Sequence, residues 1–499
     1  MMLVLPVACQ RVAQSLGCQF RLVCQFPLAC LFILFSGLFS SIAVGESPNV
    51  VFIYIDDLGY SDVSFMQANR FDTPNIDRLA NAGMIFSDAY ANAPNCAPSR
   101  ACLMSGQYSP RHGIYTVGNS DRGKSQHRRL IPIKNNKTLP PEVTTLGELF
   151  QSQEYSTCYI GKWHLGKPGK AGPHEQGFDF NFGGNTTGSP KGGYFSPYQN
   201  PQLTNPPNSD LPEYLTDRLT DEATKFIEDH QEKPFFLFLS HYAVHTPIQA
   251  KQSTIDELQE TAAARNLNPK YAAMVHSVDE SVGRLLDTIE RLKLNENTLV
   301  IFYSDNGGYG KVTNCAPLRG SKGMPFEGGI RVPCAIQWTG KIPAGSTCQT
   351  PIIGVDFFAT FCQMLQCDAP ADQPLDGIDI MPLMTGTTDN ESANQRALFW
   401  HFPAYLQGAN YTGAHDNLFR ARPFAIIRQG DWKLIHLFEN NQWELYNLRQ
   451  DIGESNNVAA QHTDLVEQLT QKLKSWQTDV QAAIPTELNP EFQPSSNNK

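Results

Sequence analysis

Hydrophobic positions along this chain fall into two patterns that take turns. Residues 49–55 (NVVFIYI), 157–160, 234–240 (PFFLFLS) and 298–304 (TLVIFYS) are continuous apolar runs rich in β-branched and aromatic residues. Such runs mark strands buried on both faces. Between them, residues 75–83, 145–153, 216–230 and 271–293 repeat their apolar positions at helical spacing. Strands that alternate with helices predict an α/β fold, a large, mostly parallel sheet flanked by helices. Each run stops in a polar cluster: Asp56-Asp57, Lys162-Trp163-His164, His245 and Asp305-Asn306. In a parallel sheet the ligand site lies beyond the carboxyl ends of the strands, where these clusters fall.

The pattern changes after a polar stretch at 385–396. Residues 397–402, 424–428, 432–438 and 443–448 are aromatic-rich and alternating, and 463–480 is helical in spacing. A small C-terminal antiparallel sheet with one helix is expected. The last residues, 485–499, are rich in Pro, Asn and Ser and read as a disordered tail. At the other end, Arg11 and Arg21 are the only charges in the first 45 residues, and an apolar run at 26–44 closes in Ala43-Val44-Gly45. That is the form of an export signal cleaved near Gly45. The run is almost long enough for an uncleaved anchor, but small residues crowd its end and no basic stop signal follows. The expected organisation is a leader at 1–45, a catalytic domain at 46–390, a small α+β domain at 391–484 and the tail. The leader implies a secreted or periplasmic protein that meets a membrane only if the leader is retained.

Composition narrows the function. The chain has 499 residues, 41% hydrophobic and 18% charged, with a net charge of −10 that becomes −12 without the leader arginines. An acidic protein is a poor nucleic-acid binder, so an anionic substrate would need a local basic pocket. Of the twelve cysteines, Cys9, Cys18, Cys24 and Cys30 lie in the leader. The other eight could form disulfides after export, with connectivity left open.

Two constellations carry chemistry. In Cys96-Ala97-Pro98-Ser99-Arg100, Pro98 suits the first turn of a helix. Cys96 then sits just before a helix N-terminus, where amide groups and the dipole favour negative charge. Arg100 follows one turn later on the same face. Asp56, Asp57, Asp305 and Asn306 offer only hard oxygen ligands, which suit Ca²⁺ or Mg²⁺ and not zinc.

With its Leu103-Met104-Ser105-Gly106 continuation, the Cys-x-Pro-Ser-Arg motif resembles the signature of the sulfatase family, within the alkaline phosphatase superfamily. Gly161-Lys162-Trp163-His164, His245-Thr246-Pro247, Arg319 to Lys322 and Glu327 to Pro333 match further family segments in order. The subgroup that looks closest contains arylsulfatase A and N-acetylgalactosamine-6-sulfatase. The resemblance implies an alkaline phosphatase-like catalytic domain and hydrolysis of sulfate esters, on sulfated carbohydrates in many members. It also implies that a formylglycine-generating enzyme converts Cys96 to formylglycine, and that Ca²⁺ is held by Asp56, Asp57, Asp305, Asn306 and the residue at Cys96. Lys162 and Lys322 would hold the sulfate, and Arg100 and Lys162 would orient the formylglycine. His245 would be the general acid and His164 the base that releases sulfate. Glu327, Gly328 and Arg331 would be framework residues, and His401 a substrate contact. The alternatives are a phosphonate monoester hydrolase or phosphodiesterase of the same superfamily, or a non-catalytic sugar-binding homologue if Cys96 is never converted. The loop at 183–198 either shapes the sugar site or is a surface loop. The basic run at 121–129 is either a solvated face or a contact for a polyanionic chain.

Overall fold

A computed structural model describes residues 47–66, 70–206, 212–386, 391–408 and 410–494. The expected leader lies outside the described residues. The main sheet is built from β1 (Asn49–Ile55), β2 (Met84–Phe86), β3 (Ser156–Gly161), β4 (Phe180–Phe182), β5 (Phe235–Ser240), β6 (Thr298–Ser304), β7 (Cys334–Gln337) and β8 (Ser346–Cys348). Their spatial order is β4-β3-β5-β1-β6-β7-β2-β8. Pairing is parallel except where β7 meets β6 and β2, so one strand of the eight runs against the rest. The four strands read from hydrophobic runs, β1, β3, β5 and β6, are adjacent at the centre.

Alternate residues of these strands supply two different cores. Val51, Ile53, Leu237 and Leu239 pack under the helices Pro74–Ala82, Leu215–Asp229 and Pro269–Arg291. Phe52, Tyr54, Phe236 and Phe238 face the opposite way, towards the helices Cys96–Ser105, Leu146–Ser152 and Asp356–Met364. This second core is aromatic: Phe52 stacks on Phe238 at 4.9 Å and meets Phe357 edge-on at 5.1 Å. Each ring so buried contributes about 2–3 kcal/mol.

The C-terminal sheet is a four-stranded antiparallel meander of β9 (Ala397–Phe402), β10 (Phe424–Gln429), β11 (Trp432–Leu437) and β12 (Gln442–Asn447). A two-residue turn joins β10 to β11, and its first residue, Gly430, takes φ 56°, a conformation glycine adopts without Cβ strain. The helix Thr463–Asp479 closes this core with Leu469, Leu473 and Trp476.

Two expectations need correcting, and the open question of cysteine pairing is answered. Residues 485–494 are not a disordered tail. The Ile131 amide donates to Glu487 O and the Asn489 amide to Arg129 O, while the Asn489 side chain donates to Ser125 O and Arg128 O. A Pro- and Asn-rich composition reads as disorder, but here it supplies a strap across the 125–131 segment. Residues 495–499 lie outside the described set. The cysteines from Cys96 onward form no disulfides and are all free thiols. His401 is not at the catalytic site. It is buried, its Nε2 bonds to Ala483 O at 2.9 Å, and Tyr115, Phe438 and Trp476 surround its ring. Burial lowers its pKa to about 4, which keeps it neutral. Among the described residues, no helix is long and apolar enough to cross a membrane.

Candidate active site

The register of the central strands sets the site. Gly161 and Tyr54 both lie level with Ser240, and Ile55 lies level with Ser304. The residues that follow therefore emerge side by side. Gly161 permits one close approach, since a Cβ there would lie 1.9 Å from Ser240 O. Asp57 turns into the left-handed region at φ 63°, a strained position for a non-glycine residue, and its amide donates to Asp305 Oδ1 at 3.2 Å. Gly307 makes a second close approach: its amide donates to Gly329 O at 3.0 Å, and a Cβ there would lie 1.8 Å from Gly328 O. The Glu327-Gly328-Gly329 segment thus buttresses the loop that carries Asp305 and Asn306.

The helix Cys96–Ser105 begins at the nucleophile position itself, slightly earlier than Pro98 alone suggests, and all ten of its residues are buried. Its first residue points into the carboxylates. Cys96 Sγ lies 3.4 Å from Asp56 Oδ1, 3.8 Å from Asp57 Oδ1 and 3.1 Å from Lys322 Nζ. Lys322 also reaches Asp57 at 2.6 Å, and Lys162 pairs with Asp56 at 2.5 Å. Arg100 donates from Nε to Asp305 at 2.9 Å and from Nη1 to Lys162 O at 2.8 Å, and its guanidinium lies 4.9 Å from the Tyr54 ring centre. Cys102 turns away from Cys96, towards Ser109 and His112.

Three buried carboxylates thus face three buried cations. Burial works against ionised Asp56, but Lys162, His245 and Arg100 more than offset it and hold its pKa far below the usual carboxylate range. Burial and Asp56 raise Asp305 to about 7. Burial and Asp56 also push the Cys96 thiol up to about 12, so it stays protonated at neutral pH and is a poor thiolate nucleophile.

Two histidines face this cluster. His245 Nδ1 bonds to Thr246 O at 2.8 Å and so carries the proton in the neutral ring, which leaves Nε2 free 3.8 Å from Asp57. His164 sits at φ 65°, and its ring packs so closely on Gly188 that a Cβ there would come within 2.4 Å of it. Burial and neighbouring lysines lower both histidine pKa values. The loop at 183–198 belongs to the site. Gly188 and Ser189 line the cavity, and Tyr194 Oη supports the His245 loop through Tyr242 O and His245 O.

A cavity of about 400 Å³ opens over Cys96, lined by Asp57, His164, His245 and Lys322. Tyr309 and Arg420 also line it, and no sequence motif marked them. Arg122, visible beforehand only as one member of a basic run, lines it too. Arg128 and Arg129 do not. The former bonds to Asp121 O and Gly123 O, and the latter to Glu439 and Asn440.

The sequence model of the family described as Sulfatase matches residues 48–367, well over half of the chain. The chain belongs to the sulfatase family. It is a sulfuric ester hydrolase. A second model, described as the C-terminal region of N-sulphoglucosamine sulphohydrolase, matches residues 321–479 of this sulfatase. A sulfatase of Formosa agariphila is 31% identical, over 86% of this chain and 89% of its own. The N-acetylgalactosamine-6-sulfatase of Canis lupus familiaris is 28% identical, over 85% and 78%. A crystal structure of Ps i-CgsB in complex with k-i-k-neocarrahexaose superposes with a TM-score of 0.71 at 29% identity, covering 88% of this chain and 95% of that one.

The carboxylate donors of this sulfatase, Asp56, Asp57 and Asp305, suit a hard divalent cation. Asp56, Asp57, Cys96 and His245 each bring one potential ligand atom within 4.8 Å of the others, with Asp305 alongside. Asn306 Oδ1 is buried without a partner while its Nδ2 faces Asp57, so turning the amide over would present an oxygen to the same cluster.

Proposed function

We propose that this sulfatase releases sulfate from a sulfated carbohydrate, using formylglycine made from Cys96, and that it works in a secreted or periplasmic setting. The observation that carries this reading is the placement of Cys96. It starts a buried helix, lies 3.1 Å from Lys322, touches Asp56 and Asp57, and forms part of the cavity wall. A protonated thiol there is a weak nucleophile, and oxidation to an aldehyde by a formylglycine-generating enzyme would supply a hydrated oxygen nucleophile instead. A Ca²⁺ ion held by Asp56, Asp57, Asp305 and Asn306, beside the residue at 96, would polarise the sulfate oxygens.

Charge balance supports the same reading. Three carboxylates already neutralise Arg100, Lys162 and Lys322. A divalent cation would leave two positive charges, matched by a sulfate monoester and an ionised nucleophile oxygen. Lys322 neutralises the sulfuryl group from the nucleophile side, and Lys162 holds Asp56 ionised. Arg100 fixes Asp305 and the backbone of Lys162. His245 presents Nε2 to the cavity; once the ring takes up a second proton there, beside Asp57, Nε2 can deliver it to the leaving sugar oxygen, and His164 takes the proton that later frees sulfate. A carbohydrate substrate is supported by the names of the relatives, N-acetylgalactosamine-6-sulfatase and the Ps i-CgsB complex with an oligosaccharide.

The test is sulfate release, followed by ion chromatography, from sulfated oligosaccharides and an aryl sulfate. The protein would come from a host able to form formylglycine. Release should vanish in Cys96→Ala, the Cys96 peptide should carry the aldehyde mass, and Asp305→Ala should lose both bound calcium and turnover. Phosphate release alone from phosphate esters, or an unmodified thiol in active protein, would refute the reading. N-terminal sequencing of exported protein should start at or near Glu46, and an intact leader would refute the export assignment.

A further inference from the structure

The floor of the cavity is balanced in charge, but its rim is not. Arg122 and Arg420 both line the same cavity as Cys96. Arg420 lies over the Tyr411 ring at 4.7 Å, and its Nη1 makes a long contact of 3.4 Å with Lys322 O. Its Nε is buried and has no hydrogen-bond partner. Among the described residues, neither arginine meets a carboxylate. Several partly buried arginines elsewhere do: Arg331 and Arg428 share Asp88, Arg396 holds Asp356, and Arg422 holds Asp416 and Glu439; Arg128 and Arg319 instead place their guanidinium groups on backbone carbonyls at 2.9 Å or less. Arg122 also feels its neighbour, because burial and the Arg420 charge together lower its pKa. Two like charges held close and partly out of water cost free energy unless an anion lies between them. Guanidinium forks match planar carboxylates and sulfate oxygens, and an aromatic ring under one of them fixes its plane.

We infer that Arg122 and Arg420 form a second anion subsite, which binds an anionic substituent on the same or the adjoining sugar as the scissile sulfate. This deepens the proposed function and rests on it. The substrate class becomes a carbohydrate with at least two anionic groups within one cavity, the second being a sulfate or a uronic carboxylate. Tyr309, on the same wall, offers an aromatic surface beside the pair.

The experiment compares three disaccharides that share one scissile sulfate: one with no other charge, one with a second sulfate and one with a carboxylate. Wild-type kcat/KM should favour a doubly charged disaccharide by ten-fold or more, mainly through KM, and the better of the two identifies the second anion. In Arg122→Gln, Arg420→Gln and the double variant, that preference should fall towards parity. A preference that persists in the double variant overturns the subsite, as does a wild type with no preference. Calorimetry on Cys96→Ala with the same disaccharides reads the subsite without turnover. Tighter binding of the doubly charged sugars, lost in Cys96→Ala/Arg420→Gln, sustains the subsite even if wild type releases no sulfate. That last outcome would overturn the proposed function instead. Equal binding of all three sugars overturns the subsite.

Discussion

Two buried ionic clusters in this protein have the same inventory and opposite uses. At the strand ends, Asp56, Asp57 and Asp305 meet Arg100, Lys162 and Lys322. Where the C-terminal sheet joins the main one, Glu327, Glu454 and Asp88 meet Lys433, Arg331 and Arg428. Each holds three carboxylates and three cations. The first opens on a cavity, has two residues at left-handed φ beside it, and leaves Asn306 Oδ1 without a partner. The second ties elements together. Lys433 on β11 sits between Glu327 and Glu454, Tyr90 Oη donates to Glu327, and the Glu327 amide donates to Glu454. Paired charge alone therefore does not mark an active site. Nor do access, strain or unsatisfied atoms, since a cavity lies beside Asp88, Arg331 and Arg428, Glu454 takes φ 48°, and Arg428 Nη1 has no partner; the mark is the reactive set that only the first cluster holds, Cys96 with His164 and His245 around one cavity.

Matched lysine substitutions sharpen the contrast. Lys322→Met should cut kcat/KM for sulfate release by about 10²–10³-fold, the usual effect of removing one preorganised charge from a transition state. Its melting temperature should fall only modestly, because Asp57 keeps the Asn306 amide and His245 as neighbours at the cavity wall. Near-normal turnover in that variant would break the assignment. Lys433→Met should do the reverse. Two buried carboxylates lose their shared cation, which costs about 3–5 kcal/mol of stability, readable by denaturant unfolding. Activity per folded molecule should persist at temperatures below the lowered transition. An unchanged unfolding midpoint would show that this cluster is not structural.

The smallest effect is a pH slope. Burial and Glu327 raise Glu454 to about 7, only partly countered by Lys433. The folded state then binds this proton more tightly than the unfolded chain. The resulting stability is full below about 4.5 and is lost as the pH rises through about 7. Burial opposes ionised Glu327, but Lys433, Arg331 and Arg428 lower it to about 2, so its contribution is present above about 4.5 and fades only in stronger acid. Glu454→Gln removes the first titration. From pH 5 to pH 7 the difference in melting temperature should move in favour of the variant, and parallel curves would refute the assignment.

Legibility followed element length and burial. The runs at 49–55 and 298–304 match β1 and β6 residue for residue, because a central parallel strand is apolar throughout. Strands β2, β4, β7 and β8 have three or four residues each, too few to show a period, and no pattern announced them. The tail and His401 differ from what their sequence suggests for a common reason. Composition and residue type describe what a segment could do alone, whereas a neighbouring loop straps down 485–494 and an aromatic core encloses His401.

Residue order was enough to place Cys96 at a helix start and four polar clusters at strand ends, since helix capping and strand burial are local properties. It could not say which charges would be neutralised. Arg100 finds Asp305 across 205 positions, Lys433 finds Glu327 across 106, and Arg122 and Arg420 meet over one cavity without a carboxylate. Coulombic energy depends on distance and on exclusion of water, and over such separations only the folded chain sets either.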